Sequence, residues 1–364
     1  MELEKGVHLT NMKRQPISAQ KGEIEFRKKL YYLQVLNKNT LNDEYDGGQI
    51  ERILRRRMDK TYVQIKEIRN LNINLSPYIE IGAERCQRSL VMENDLGVKG
   101  GAAVDISFEM LRSCMYYKKI FKKKELPLRI CADANNLPFM TGSVPFAFCY
   151  ETIHHFPEPA PVIQEIYRVL VPGGFFFFDE EPFKQILHLN LYRGSKIYSR
   201  ENFEKTMLRR LIDSLFCKKG SNEEDHGILE NNRIGIKTWK EAINQFSEKD
   251  VKLRSWKNME VDLFNPKSML AYLAAYLAGG EIGGKCKKRG ELKNSRGTIY
   301  DVLICPSCRE FGREVKIKQN SLGYYCVDCG RKYPYVDKVL FLFSYSKLEE
   351  LYPKIYEDCR SGNI

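Results

Sequence analysis

Residues 77–107 read PYIEIGAERCQRSLVMENDLGVKGGAAVDIS. A short apolar run, PYIEIG, precedes ERCQRSLVMENDLG, in which Cys86, Leu90 and Val91 share one helical face, and a second apolar run, GAAVDIS, follows. Strand, helix and strand at this spacing form a βαβ unit. The alternation continues. SFEMLRSCMYYKKIF reads as a helix with Ser107 at its cap and Phe108, Leu111 and Met115 inward. LRICAD and PFAFCYE read as the third and fourth strands, EPAPVIQEIYRVL as a helix ending at Pro172-Gly173-Gly174, and GFFFFDE as the fifth strand. These strands are almost continuously apolar, as expected when helices cover both faces of a sheet. The pattern predicts an α/β fold: a Rossmann-like, doubly wound, mostly parallel sheet.

The flanks differ in texture. Residues 1–75 are polar and charged and predict a helical extension, with one helix from about Gly48 to Arg69 after a break at Gly47-Gly48. Residues 76–300 hold the sheet domain, with a cap or insertion after the fifth strand at about 181–280. Helices are expected near Arg200–Leu215, Thr238–Phe246 and Pro266–Leu277, and Val251–Ser255 and Ile282–Lys287 suit the last, antiparallel strands. Residues 301–345 form a small cysteine-bearing module, and 346–364 a tail with a short helix. The chain has 364 residues and a formal charge of +12, which raises the expectation of polyanionic partners, although Arg55-Arg56-Arg57, Lys122-Lys123-Lys124 and Lys285–Arg289 are separate runs. No secretory signal or transmembrane stretch is expected. Eleven cysteines without a signal imply free thiols or a metal site in a reducing compartment, read as cytoplasmic.

Ligands of such sheets sit beyond the carboxyl ends of the strands. After the first strand, Glu80-Ile81-Gly82-Ala83-Glu84-Arg85 offers one glycine for close backbone approach. Asp105 ends the second strand, where a carboxylate can accept from both ribose hydroxyls. Asp133 follows the third strand and could accept from an adenine amino group. The loop lacks G-x-G-x-x-G, because Glu84 and Cys86 stand where further glycines are usual. A pyrophosphate needs a glycine-rich cradle, and Glu84 would repel it. S-adenosylmethionine, which has no phosphate and carries a sulfonium, fits such a loop better than NAD.

The order YIEIGA, AAVDIS, CADANNLPF, FAFCYETIHHF and VLVPGGFFFFDE resembles the class I S-adenosylmethionine-dependent methyltransferases, in particular the type-11 group, over Tyr78 to Asp179. By this resemblance Glu80 and Gly82, with Ala83, line the methionine side. Asp105, with Ile106, binds ribose; Asp133 and Ala134 hold adenine; Glu151 and Thr152 close over the cofactor. Methyl transfer needs positioning and, for a protic acceptor, a base. His154 and His155 are the candidate bases; Glu180, Glu181 and His226 are weaker ones.

Cys305-Pro-Ser-Cys308 and Cys326-Val-Asp-Cys329 are seventeen residues apart, the spacing of a closed, structural four-thiolate zinc site. CVDCGRKYPYVDKVLFLF resembles the second knuckle of small zinc ribbons, which occur as free activators of methyltransferases and as fused segments. Three functions compete. The first is methyl transfer to a small-molecule, glycan or lipid-precursor acceptor. The second is tRNA or rRNA methylation, with the ribbon's basic and aromatic residues on RNA. The third is non-catalytic cofactor binding. Glu151-Thr152-Ile153-His154 stands where enzymes acting on planar base amines carry an Asn-Pro-Pro-Tyr-type tetrapeptide, which favours the first over the second.

Overall fold

The computed structural model describes residues 17–35, 50–183, 234–255, 259–292, 297–320 and 323–361. The expected helix at Arg200–Leu215, with Cys217 and His226, lies outside them. Two helices come first: α1 (Ile17–Val35) and α2 (Ile50–Asn70). The sheet domain follows as β1 (Tyr78–Ile81), α3 (Gln87–Asp95), β2 (Ala102–Asp105), α4 (Phe108–Ile120), β3 (Leu128–Cys131), β4 (Val144–Tyr150), α5 (Ala160–Val169) and β5 (Leu170–Phe183). Then come α6 (Ile236–Ala242), β6 (Glu248–Ser255), β7 (Met259–Asp262), α7 (Met269–Ala278) and β8 (Gly280–Lys287).

Among the described residues ten strands form one sheet in the order β12-β13-β3-β2-β1-β4-β5-β8-β6-β7, in which β12 (Tyr335–Val336) and β13 (Val339–Phe341) come from the C-terminal part of the chain. β1 to β5 run parallel, as their apolar continuity requires, and β8, β6 and β7 close one edge antiparallel. The region expected as a cap after the fifth strand therefore returns to extend the sheet, and β7 is a strand that the sequence pattern did not show. Ser107 caps α4 by accepting from the Met110 backbone N–H, as its position implied. Met115, expected inward, is instead 40% exposed. On α2, Leu54, Met58, Thr61, Ile65 and Ile68 form a buried stripe at helical spacing, and it is this face that docks the extension on the sheet domain.

The cysteine module runs through the one-turn helix α8 (Pro306–Arg309), then β9 (Ile317–Asn320), β10 (Gly323–Cys326) and β11 (Lys332–Tyr333), which make a three-stranded antiparallel sheet. β12 (Tyr335–Val336) and β13 (Val339–Phe341) follow, then α9 (Tyr345–Leu351) and α10 (Pro353–Ser361). The module does not end as a separate unit. β13 pairs in parallel with β3, Leu340 opposite Ile130, and so becomes part of the main sheet. Val339, Leu340 and Phe341 are completely buried there. The tail anchors the same edge: the Tyr352 hydroxyl donates to the Ile106 carbonyl at 2.6 Å and accepts from the Phe108 N–H at 3.1 Å.

This shared core has a measurable consequence. Leu340→Ala removes a fully buried side chain and is expected to cost about 2–5 kcal/mol. Urea unfolding should show one transition, shifted equally by far-UV circular dichroism and by tryptophan fluorescence, since Trp239 stacks on Phe178 of the main sheet. A fluorescence transition left at its wild-type midpoint would mean that the module unfolds independently.

Candidate active site

The carboxyl ends of β1 to β4 open into a cavity of about 360 Å³, within the roughly 300–1,000 Å³ of small-molecule sites. The sheet places its floor. Gly82 leaves β1 with φ +65°, and a Cβ there would lie 2.2 Å from the Thr152 hydroxyl oxygen, so only glycine fits. Glu84 and Cys86 also take left-handed backbone, at φ 48° and 57°. The loop thus keeps the turns of a glycine-rich loop with other side chains in place.

Asp105 lies at the end of β2. Its carboxylate accepts from the Glu84 and Ser107 backbone N–H groups, both at 2.8 Å, and lines the cavity. Burial pushes its pKa up to about 6, against the pull of those two N–H donors. Ile106, Ala132, Asp133 and Ala134 continue the wall, with Glu151, Thr152, His154 and His155 opposite. The cavity therefore gathers Gly82, Asp105, Ile106, Asp133, Ala134, Glu151, Thr152 and both histidines. Glu80 and Ala83 stand behind it. Glu80 is fully buried and accepts from Arg88 Nε at 2.6 Å and from the Ser89 N–H and hydroxyl. Burial raises its pKa even against the Arg88 charge. The Ala83 N–H donates to the Val104 carbonyl at 3.0 Å.

His154 Nδ1 lies 2.9 Å from Glu181 Oε2. Glu181 is fully buried and accepts the Thr152, Ile153 and His154 backbone N–H groups as well. Burial would raise its pKa, but the His154 hydrogen bond and those donors hold it below the usual carboxylate value. An ionised Glu181 fixes the Nδ1–H tautomer and leaves the lone pair on Nε2. Glu181 thus stands behind His154. Glu180 sits outside the cavity lining and pairs with Lys60 at 2.6 Å.

Several lining residues were not foreseen. Glu23 and Arg27 come from α1, Arg57 from α2 and Arg88 from α3. On α1, Gln20, Glu23, Ile24 and Arg27 share one face at i, i+3, i+4 and i+7. Within the Arg55-Arg56-Arg57 run only Arg57 is partly covered, being three residues after Leu54 and four before Thr61 on the buried stripe. Those spacings were the available signal. Arg57 Nη1 binds both Glu84 oxygens at 2.9 Å, with Arg27 at 3.8 Å and Arg85 at 3.9 Å. Burial would raise Glu84, but Arg57, Arg85 and Arg27 hold its carboxyl far below the usual range. The expectation that Glu84 makes this loop repel anions is corrected: its charge is matched by Arg57 of α2, Arg27 of α1 and Arg85 of its own loop.

The four cysteines also come together. All their sulfurs lie within 4.8 Å of one another, with Cys305–Cys329 and Cys308–Cys326 each at 3.7 Å. Four sulfurs about 2.3 Å from one metal at tetrahedral angles are about 3.8 Å apart. The donor set and its spacing therefore fit a closed four-thiolate site.

Residues 80–178 match the methyltransferase-domain family. The likeness to methyltransferase domains is confined to this stretch of the chain. A chloroplastic, uncharacterized methyltransferase of Arabidopsis thaliana is 37% identical over 113 residues, 27% of this chain and 32% of that protein. A malonyl-[acyl-carrier protein] O-methyltransferase of a Marinomonas species is 28% identical over 28% of this chain and 36% of its own. The matches thus span about a third of these relatives. Among solved structures, a SAM-dependent methyltransferase of Methanosarcina mazei aligns with TM-score 0.38 at 20% identity, covering 62% of this chain and 97% of that one. Among the described residues, no helix is long and apolar enough to cross a membrane.

The Glu84 pairing predicts a pH dependence. A carboxylate whose pKa is lowered on folding contributes stability above its unfolded pKa of about 4.3 and loses that contribution as pH falls. Arg57→Ala should therefore cost about 1–3 kcal/mol at pH 7, and progressively less below about pH 4. Denaturant unfolding at several pH values would show this; an equal cost at pH 3 and pH 7 would contradict the pairing.

Proposed function

We propose that the chain is an S-adenosylmethionine-dependent methyltransferase acting on a small-molecule, glycan or lipid-precursor acceptor, with a structural zinc ion on Cys305, Cys308, Cys326 and Cys329. One observation carries the reading. The methyltransferase domain aims the Asp105 carboxylate into a cavity at the carboxyl ends of its strands. Asp105 suits the ribose hydroxyls, Asp133 with Ala134 the adenine, and Gly82, Glu151 and Thr152 the rest of the cofactor. The cavity also holds arginines and carboxylates side by side, which suits the carboxylate and ammonium of a methionyl group. The cofactor, when bound, supplies an electrophilic methyl group on a sulfonium.

His154, oriented by Glu181, is the base we assign, with His155 beside it at a ring separation of 4.3 Å. A base matters for a protic acceptor such as a hydroxyl and is superfluous for a carboxylate. The ribbon's basic and aromatic residues support the small-acceptor reading over RNA, because several serve the fold. Arg309 binds Glu165 on α5 at 2.6 Å, Tyr333 is buried with its hydroxyl 2.9 Å from Cys305, and Arg313 binds Asp328. The described cysteines outside that cluster, such as Cys114 and Cys149, are unpaired thiols, which fits a reducing cytoplasm.

Calorimetry with S-adenosylhomocysteine tests the cofactor. Binding is expected, and Asp105→Ala should weaken it by about 1–3 kcal/mol; no binding to the wild-type chain would refute the proposal. Ionised Asp105 is the better acceptor, so affinity should fall as pH drops below about 6, and Asp105→Asn should flatten that profile. Elemental analysis should find one zinc per chain. Chelation should lower the thermal midpoint of the main sheet too, because β13 belongs to it.

A further inference from the structure

Asp133 has no acceptor capacity to spare. Its Oδ1 accepts from the Asn135 N–H at 2.9 Å and from Asn135 Nδ2 at 3.0 Å. Its Oδ2 accepts from Lys347 Nζ of α9 at 2.9 Å and from Gln20 Nε2 of α1 at 3.1 Å. A carboxylate offers about four lone-pair positions, and four donors fill them. Yet Asp133 lines the cavity. Any ligand that donates to it must displace one of the four.

The four donors are not equal. Asn135 sits two residues away in the same turn, and Lys347 brings a full charge, which makes the stronger bond. Gln20 is neutral and comes from a separate helix. It is also fully buried, and its Oε1 has no hydrogen-bond partner among the described residues. A buried amide with one satisfied end is held at a cost that leaving would relieve. Gln20 is therefore the donor most easily displaced.

We propose that Gln20 is a placeholder for the adenine amino group, so that α1 competes with the cofactor for Asp133. This rests on the assignment of Asp133 to adenine. A primary amide N–H and the exocyclic amine of adenine are alike as planar N–H donors, so one acceptor position serves either. Lys347 and Asn135 keep the carboxylate in place during the exchange. α1 also carries Glu23 and Arg27 into the cavity, so exchange at Asp133 couples this helix to cofactor occupancy, and Gln20 sets how tightly an adenine-bearing ligand is held.

The test is calorimetric titration of the full chain with S-adenosylhomocysteine and with S-inosylhomocysteine, whose six-position oxygen cannot donate. Gln20→Ala should tighten S-adenosylhomocysteine about two- to ten-fold, the range of one neutral hydrogen bond, and leave S-inosylhomocysteine unchanged. Equal or weaker binding of S-adenosylhomocysteine, or the same gain with both ligands, would overturn the placeholder role. Should the variant not fold, hydrogen exchange on the wild-type chain decides. Saturating S-adenosylhomocysteine should speed exchange across Ile17–Arg27; slower or unchanged exchange there would overturn the proposal. Asp133→Asn separates the two levels. If it weakens S-adenosylhomocysteine while Gln20→Ala does nothing, only the placeholder fails. If it leaves affinity unchanged, the adenine assignment fails and takes the placeholder with it.

Discussion

The parallel pairing of Val339–Phe341 with Leu128–Cys131 organises much of the molecule. It converts the end of the cysteine module into a sheet strand and covers an edge that β3 would otherwise expose. It also fixes where the tail begins. From that strand, α9 reaches Asp133 through Lys347, and α10 follows Tyr352, which bonds the backbone at Ile106 and Phe108. Two of the loops that line the cavity, after β2 and after β3, are thus braced by residues more than two hundred positions later. The strand also connects the four-cysteine cluster to the loops that line the cavity.

The opposite wall is braced from the other end of the chain. α2 lays its apolar stripe on the sheet domain, and this docking aims Arg57 at Glu84 and Lys60 at Glu151 and Glu180. Glu84, Glu151 and Glu180 all have positive φ, at 48°, 48° and 58°. Such backbone is costly for residues with side chains and persists where surroundings over-determine it. Here each strained glutamate ends on a cation from an N-terminal helix. The extension and the strained turns depend on each other.

The central sheet was legible because its signals are local. Apolar runs of strand length, helices between them and turn residues at their ends need no knowledge of distant partners, and β1 to β5 follow from them. The cysteine cluster was legible for the same reason, since C-x2-C pairs define their own turns. What escaped reading was long-range. VLF at 339–341 reads as an apolar strand of the ribbon, and nothing local says that its partner is LRIC at 128–131. Arg27, Arg57, Gln20 and Lys347 look like solvated residues on polar helices, and their place in the site depends on how those helices dock. Glu80 shows the converse: its motif position points to the ligand, yet Arg88 and Ser89 claim its carboxylate from the helix behind.

The first loop shows how the two kinds of information combine. Read alone, Glu84 gives the loop a negative charge, which would disfavour a phosphate-bearing ligand on electrostatic grounds. With Arg57, Arg27 and Arg85 in place that repulsion is cancelled. The preference against a dinucleotide then has to come from shape. A pyrophosphate approaches backbone N–H groups closely, which is why glycines line such loops. Here the left-handed positions at 84 and 86 carry a glutamate tied to three arginines and a buried cysteine, and their side chains occupy the space that glycines would leave open. What remains beside Gly82 is a site of mixed sign, with Arg57 and Arg88 close to Glu84 and Asp105. Opposed charges a few ångströms apart suit a zwitterionic amino-acid end better than a doubly charged diphosphate. Side-chain bulk and paired charge, not net acidity, set the character of this loop.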